Sequence, residues 1–293
     1  MKVLNFVRPE NGLIHDPLYN IGFEKYEKET RDCYLFMADY IRDLETNPNY
    51  RDKERVVFAV EEPNFCWGPD SPPAKTTILA DAILTLCPFT AETTEKRTAV
   101  FYPFNEDFIP KSFDKEYDVL YSGSNPQYVP WSTYLSIISR YKYRHIYYNA
   151  GTNPSCTYQE KISLLSKTKV TLVHGLCSVQ PTQVHQYMSF PNAAKNRAFS
   201  HLSSGLMPQL KTRMFEPAFC KSLILCYKDP WNVIENYFDP EKEFIYFENE
   251  QDLSEKLQFI LNNYGNYTGI IEAAYTRAIN NYTTKHFIEK YLK

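Results

Sequence analysis

At 293 residues, with 43% hydrophobic and 23% charged positions, the chain has an ordinary globular composition and the length of two domains of about 100–150 residues each. A net charge of −3 gives no positive field to gather nucleic acid or an anionic membrane, and no run of about 18 apolar residues offers a membrane span. Seven cysteines without CxxC or zinc-like spacing read as buried thiols in a reducing compartment, and the opening MKVLNFVRPE turns to charge and proline too soon for a signal peptide, so a cytoplasmic protein is expected.

Apolar β-forming runs alternate with helical stretches, the pattern of parallel α/β sheets. Residues 3–7 read as a first strand. Residues 24–46 read as a helix, with Tyr26, Tyr34, Leu35, Ala38 and Ile41 near helical spacing. A second strand over 55–60 ends at Glu61-Glu62-Pro63, the segment 65–75 is a loop, and apolar runs at 77–87 and 98–102 complete an N-terminal unit. Pro110 and the mixed charge of 104–115 mark a boundary, which gives domains of residues 1–112 and 113–293.

The alternation then restarts with a strand at 117–121, the small-residue turn Ser122-Gly123-Ser124-Asn125, a helix at 131–141 and a strand at 144–148. A helix over 159–166 delivers a strand over 169–174 that ends at His174. Further on, a helix over 213–220 leads into a strand at 222–226, a short strand follows at 244–247, and helices at 251–263 and 267–291 close the chain. In open parallel sheets ligands bind beyond the carboxyl ends of the strands. Small residues at Ser122, Gly123 and Ser124 let backbone N–H groups approach a diphosphate there, while Lys211 and Arg213 stand beside the start of the helix that contains Glu216. The fingerprint GxGxxG and the phosphate loop GxxxxGK[ST] are both absent, which disfavours a Rossmann dehydrogenase and a P-loop enzyme.

The run Arg213-Met-Phe-Glu216-Pro-Ala218-Phe-Cys220-Lys-Ser-Leu-Ile-Leu225 resembles the C-terminal domain of group 1 glycosyltransferases, especially the CgeB-like branch, in which R-x-F-E-A-x-A-x-G-x-L-L leads into a strand. The tail is similar as well, with E-F-I-Y-F at 243–247 and D-L-x-x-K-L at 252–257, and the resemblance covers about residues 117–293. Residues 158–169 add a likeness to short viral, phage and exostosin-like transferases. The resemblance implies a GT-B architecture of two Rossmann-like parallel-sheet domains facing a cleft, with the final helix crossing back to the first. It implies that Glu216 binds the donor ribose and that Lys211 and Arg213 hold the diphosphate, with His174 as a wall for the nucleotide base. In the family a glycine usually takes the place of Lys221. The first glutamate of the paired-glutamate motif is missing, because Pro208 and Gln209 stand near its place.

The function this implies is transfer of a sugar from a nucleoside-diphosphate donor, UDP-xylose or a UDP-hexose as first guess, to a glycan hydroxyl, with inversion preferred because the paired glutamates are broken. Inversion needs a base to deprotonate the acceptor hydroxyl. The candidates are Asp16 first, then His15 and Glu62, all in N-terminal loops. No metal or other cofactor is expected, since no DxD-like pair stands at a strand end. The rival readings are a nucleotide-sugar hydrolase or epimerase on the same frame and a silent carbohydrate-binding protein, the second suggested by 16% aromatic residues.

Overall fold

A computed structural model describes residues 5–7, 21–37, 50–59, 78–92, 95–123, 132–146, 156–179, 184 and 196–293. Its first sheet has five parallel strands in chain order: β1 (Asn5–Val7), β2 (Cys33–Met37), β3 (Glu54–Ala59), β4 (Ala82–Thr85) and β5 (Arg97–Ala99), with the one-turn helix α1 (Pro88–Ala91) after β4. Val56, Val57, Phe58 and Ala59 are all buried, and neighbours along a strand point to opposite faces, so β3 is covered on both sides.

The helix expected over 24–46 is corrected. A short 3-10 turn covers Phe23–Tyr26, and Cys33-Tyr-Leu-Phe-Met37 is a strand held between β1 and β3. Leu35 and Phe36 are both fully buried although they are adjacent. A strand covered on both faces accommodates that, and its pairing with β1 and β3 overrides the near-helical spacing of the other apolar residues. Residues 38–46 lie outside the described residues.

The second sheet contains β6 (Tyr117–Ser122), β7 (Tyr143–Ile146) and β8 (Thr168–Val173). An antiparallel pair, β9 (Leu176–Ser178) and β10 (Leu206–Pro208), stands apart from it. β11 (Leu223–Tyr227) and β12 (Ile245–Phe247) complete the sheet, whose parallel order is β12-β11-β8-β6-β7. After β6 the chain goes to one side, to β7, and then returns across to β8 on the other. The order therefore reverses between β6 and β8, the switch point at which open α/β sheets form a crevice.

Helices α2 (Ser132–Ile138) and α3 (Tyr158–Ser166) make these crossings. α3 starts where Thr157 and Glu160 form a reciprocal capping box. The helix expected over 213–220 is split into a 3-10 turn, Thr212–Met214, and the single turn α4 (Glu216–Phe219), joined at Phe215. Lys115 donates to the Ser166 and Cys220 carbonyls at the ends of α3 and α4, and burial pulls its pKa down to about 8.

The chain closes with α5 (Glu250–Asn262), α6 (Thr268–Asn281) and α7 (Thr284–Phe287). The last two were expected as one helix; they part at Tyr282, and Thr283 caps α7 by accepting from the His286 N–H. This end packs on the first sheet. Phe287 meets the rings of Phe58 at 5.3 Å and Phe101 at 5.6 Å, and Arg31 donates to the Tyr291 and Leu292 carbonyls. Phe104 stacks on Phe219 at 4.0 Å, which ties the linker to α4. One continuous apolar core runs through both sheets.

Candidate functional site

Three parallel strands end on one rim: β6 at Ser122-Gly123, β8 at His174-Gly175, and β11 at Lys228-Asp229. Their central residues are mostly apolar and buried, and each strand ends in polar or small residues. The 3-10 turn Thr212–Met214 carries Arg213 to this rim. The guanidinium donates through Nη1 to the Ser122 carbonyl at 3.3 Å and through Nη2 to the Gln209 side-chain oxygen at 3.1 Å, while its buried Nε has no hydrogen-bond partner.

Gly123 has a steric reason to be glycine. A Cβ there would lie 2.7 Å from Arg213 Nη1 and 2.7 Å from the Tyr121 hydroxyl. Tyr121 in turn meets His174 Nε2 at 3.1 Å, and His174 Nδ1 lies 3.0 Å from the Leu176 carbonyl. A carbonyl only accepts, so Nδ1 carries the proton; Nε2 of the neutral ring then accepts from the Tyr121 hydroxyl. Burial, followed by the charge of Arg213, holds the His174 pKa well below its ordinary value. His145 stacks on Tyr121 and donates from Nε2 to the Gly123 carbonyl at 3.3 Å, its pKa lowered by burial.

Asp229 closes the β11 end. Its carboxylate is 2% exposed and accepts from the Trp231 and Val233 N–H groups, which fixes the turn after the strand. Burial pushes its pKa up to about 6 against the pull of those hydrogen bonds. Gly175 faces it: a Cβ there would stand 2.7 Å from Asp229 Oδ2 and from the Met214 methyl.

Glu216 is three residues from Arg213 and has a different environment. It is fully buried, and Lys161 Nζ of α3 stands 2.6 Å from Oε2. The contact is an ion pair rather than an aligned hydrogen bond, so neither carboxylate oxygen has a hydrogen bond that satisfies its geometry. The Tyr158 hydroxyl also faces this carboxylate, and the Tyr158 pKa is raised well above its usual value by burial first and by Glu216 second.

A family model described as glycosyl transferase-like matches residues 114–293, well over half of the chain. The chain belongs to the glycosyl transferase-like family. No curated protein matches its sequence. Among solved structures the chain is similar to HepE of Anabaena in complex with UDP and glucose, at TM-score 0.56 and 8% identity over 99% of this chain and 98% of that one. It is also similar to AviGT4, a glycosyltransferase involved in avilamycin A biosynthesis, at TM-score 0.54 and 10% identity over 99% and 95%. TarM matches at TM-score 0.51 and 11% identity over 92% of this chain, which spans 56% of TarM's length. These likenesses show the fold, GT-B, to which both parallel sheets correspond.

Of the expected donor residues, the fold brings Ser122, Gly123, His174 and Arg213 together at the β6–β8 switch point. His174 is there as a buried partner of Tyr121, with both ring nitrogens engaged. Lys211 is half-buried at the head of the 3-10 turn, where its carbonyl accepts from the Met214 N–H. Arg213 and Glu216, expected to grip the donor jointly, have different surroundings: after the break at Phe215, Arg213 is held at the rim and Glu216 is buried against Lys161. Ser124, His15, Asp16 and Glu62 lie outside the described residues.

Sequence reasoning missed Tyr121, Gln209 and Asp229. Tyr121 reads as one more apolar strand residue. Asp229-Pro230 directly after a strand was a turn signal that could have found the third. Among the described residues no three His, Cys, Asp or Glu side chains gather as a metal site, and no helix is long and apolar enough to cross a membrane.

Proposed function

We propose that this chain transfers a sugar from a nucleoside-diphosphate donor, UDP first and a hexose or xylose as its sugar, to a hydroxyl of a glycan acceptor with inversion. The observation that carries the reading is Arg213 pinned at the β6–β8 switch point, where the sheet topology makes a crevice and the glycine at 123 leaves room for the guanidinium. The solution of the fold relative HepE with UDP and glucose supports the choice of nucleotide.

In this reading the acceptor oxygen attacks the anomeric carbon as the bond from that carbon to the diphosphate oxygen breaks. Negative charge grows on the leaving diphosphate, and a guanidinium already fixed at that point stabilises it without reorganising. Arg213 supplies that charge, with Lys211 assigned beside it and no metal. Asp16, then His15 and Glu62, are proposed as the base that takes the acceptor proton. Glu216 reaches the ribose only where its pair with Lys161 opens. A cytoplasmic setting is proposed with it, supported by the spacing of the seven cysteines, which contains no CxxC pair.

The test is a thermal-unfolding panel with UDP, GDP and ADP on the wild type and Arg213→Ala. A nucleotide at 100 times its dissociation constant stabilises a folded protein by about 2.7 kcal/mol. UDP is expected to raise the unfolding temperature of the wild type, and the alanine variant is expected to lose most of that rise. No shift with any of the three nucleotides overturns the reading. Sugar release that is the same with and without oligosaccharide would instead indicate a hydrolase.

A further inference from the structure

Gln209 occupies an unusual place for a neutral side chain. It is 8% exposed, its backbone N–H donates to the Gly175 carbonyl at 2.7 Å at the end of β8, and its side-chain oxygen accepts from Arg213 Nη2 at 3.1 Å. The guanidinium is thus held from two sides, by the Ser122 carbonyl and by this amide oxygen, and both holders are uncharged. A carboxylate at the same distance would form a charge-assisted pair with Arg213 and cancel most of the field that it presents to an anion. An amide oxygen fixes the direction of the guanidinium and leaves its charge in place.

We infer that Gln209 is the positioning residue that keeps Arg213 aimed at the donor diphosphate with its charge uncompensated, and that its neutrality sets how strongly the site discriminates a nucleoside diphosphate from the bare nucleoside. The inference rests on the reading of Arg213 as the diphosphate cation. It concerns the residue directly after the β10 strand end, near the place where the resemblance puts a glutamate. The structure gives Gln209 no role as a reacting group; it acts through Arg213.

The near-isosteric variant Gln209→Glu separates this role from a packing role, because its two effects have opposite signs. In the ligand-free protein the new carboxylate pairs with Arg213, so the unfolding temperature stays level or rises. UDP affinity, measured by calorimetry, falls by about tenfold or more, while affinity for uridine is unchanged. Gln209→Ala releases the guanidinium without neutralising it, so its loss of UDP affinity is smaller than that of the glutamate variant. If Gln209→Glu binds UDP as the wild type does while Arg213→Ala loses it, the role of Gln209 is overturned and the reading of Arg213 stands. If both variants bind UDP as the wild type does, or the wild type does not bind it, the reading of Arg213 fails and takes this inference with it. A Gln209→Glu variant that loses UDP and uridine equally is a packing defect and also overturns the inference.

Discussion

Arg213 and Glu216 come from one four-residue run and end in opposite surroundings. One is held at the strand-end rim by neutral oxygens; the other is sealed inside against Lys161. On an unbroken α-helix residues three apart share a face, and the two would have met one ligand together. Here the chain passes from a 3-10 turn to a single α-turn through Phe215, whose ring is wedged against Tyr237 and Tyr282. The difference teaches that a motif spacing fixes residue types, while the helix type between them decides which side chains share a site. Rim residues should then answer to ligand, and interior residues to denaturant.

The largest expected effect tests the interior half. Glu216→Ala leaves Lys161, 12% exposed, buried without its counter-charge. Removing one partner of a buried pair costs about 3–5 kcal/mol, and urea unfolding monitored by fluorescence should show that loss. A loss under about 1 kcal/mol, of the size typical for an exposed pair, would place Glu216 with the rim residues and break the contrast.

Asp229 sharpens the contrast, since it is on the rim by position and in the interior by burial. Its folded pKa of about 6 lies above the ordinary aspartate value of 3.8. The protonated form is therefore the one that folding favours. The stability linked to it is complete below about pH 4, declines as the pH rises towards 6, and stays low above that. One pKa unit corresponds to about 1.4 kcal/mol, so the wild type should lose roughly 2–3 kcal/mol relative to Asp229→Asn between pH 4 and pH 7. Paired urea unfolding across that range measures it, and parallel curves for the two proteins would contradict it.

Gly123→Ala tests the rim from the other side. The added methyl meets the tips of two side chains, Arg213 and Tyr121, rather than backbone. Side-chain tips can move aside, so the fold should lose no more than about 1–2 kcal/mol. The displaced guanidinium then leaves the Ser122 carbonyl, and UDP affinity should drop by about tenfold, read by calorimetry. Unchanged affinity would show that Arg213 does not act from this position.

The second sheet was legible because its strands are short apolar runs at regular spacing: β6, β8, β11 and β12 fall where the sequence places them, to within a residue or two. β2 was not, because Tyr26, Tyr34, Ala38 and Ile41 also fit a helical period, and only pairing with β1 and β3 decides between the two. The site was legible in part for a similar reason. Residue types that suit an anion stood out at Gly123 and Arg213, but the hydrogen bond that joins this region to Arg213 spans 91 residues. Nor could local sequence show that Gln209 would be the second holder of that guanidinium, or that Lys161 would claim Glu216. Those pairings come from the order in which the strands are assembled.

The smallest effect expected lies just past α4, at the position where the family usually has glycine. Lys221 has φ 48°, in the left-handed region, and its N–H donates to the Ala218 carbonyl while that of Ser222 donates to Pro217, a helix end closed in the way that favours glycine. A lysine there costs about 1 kcal/mol of backbone strain. Its side chain offsets that cost: Nζ lies 2.7 Å from both Glu272 carboxylate oxygens on α6 and over the rings of Tyr275 at 4.6 Å and Phe113 at 5.2 Å. A partly exposed ion pair and a cation over a ring contribute about 0.5–1 kcal/mol each. Lys221→Gly removes strain and contacts together, so its unfolding free energy should stay within about 1 kcal/mol of the wild type. Lys221→Ala keeps the strain and loses the contacts, and should be the less stable of the two variants. An alanine variant as stable as the glycine one would mean that the backbone here relaxes out of the left-handed region once the lysine is gone.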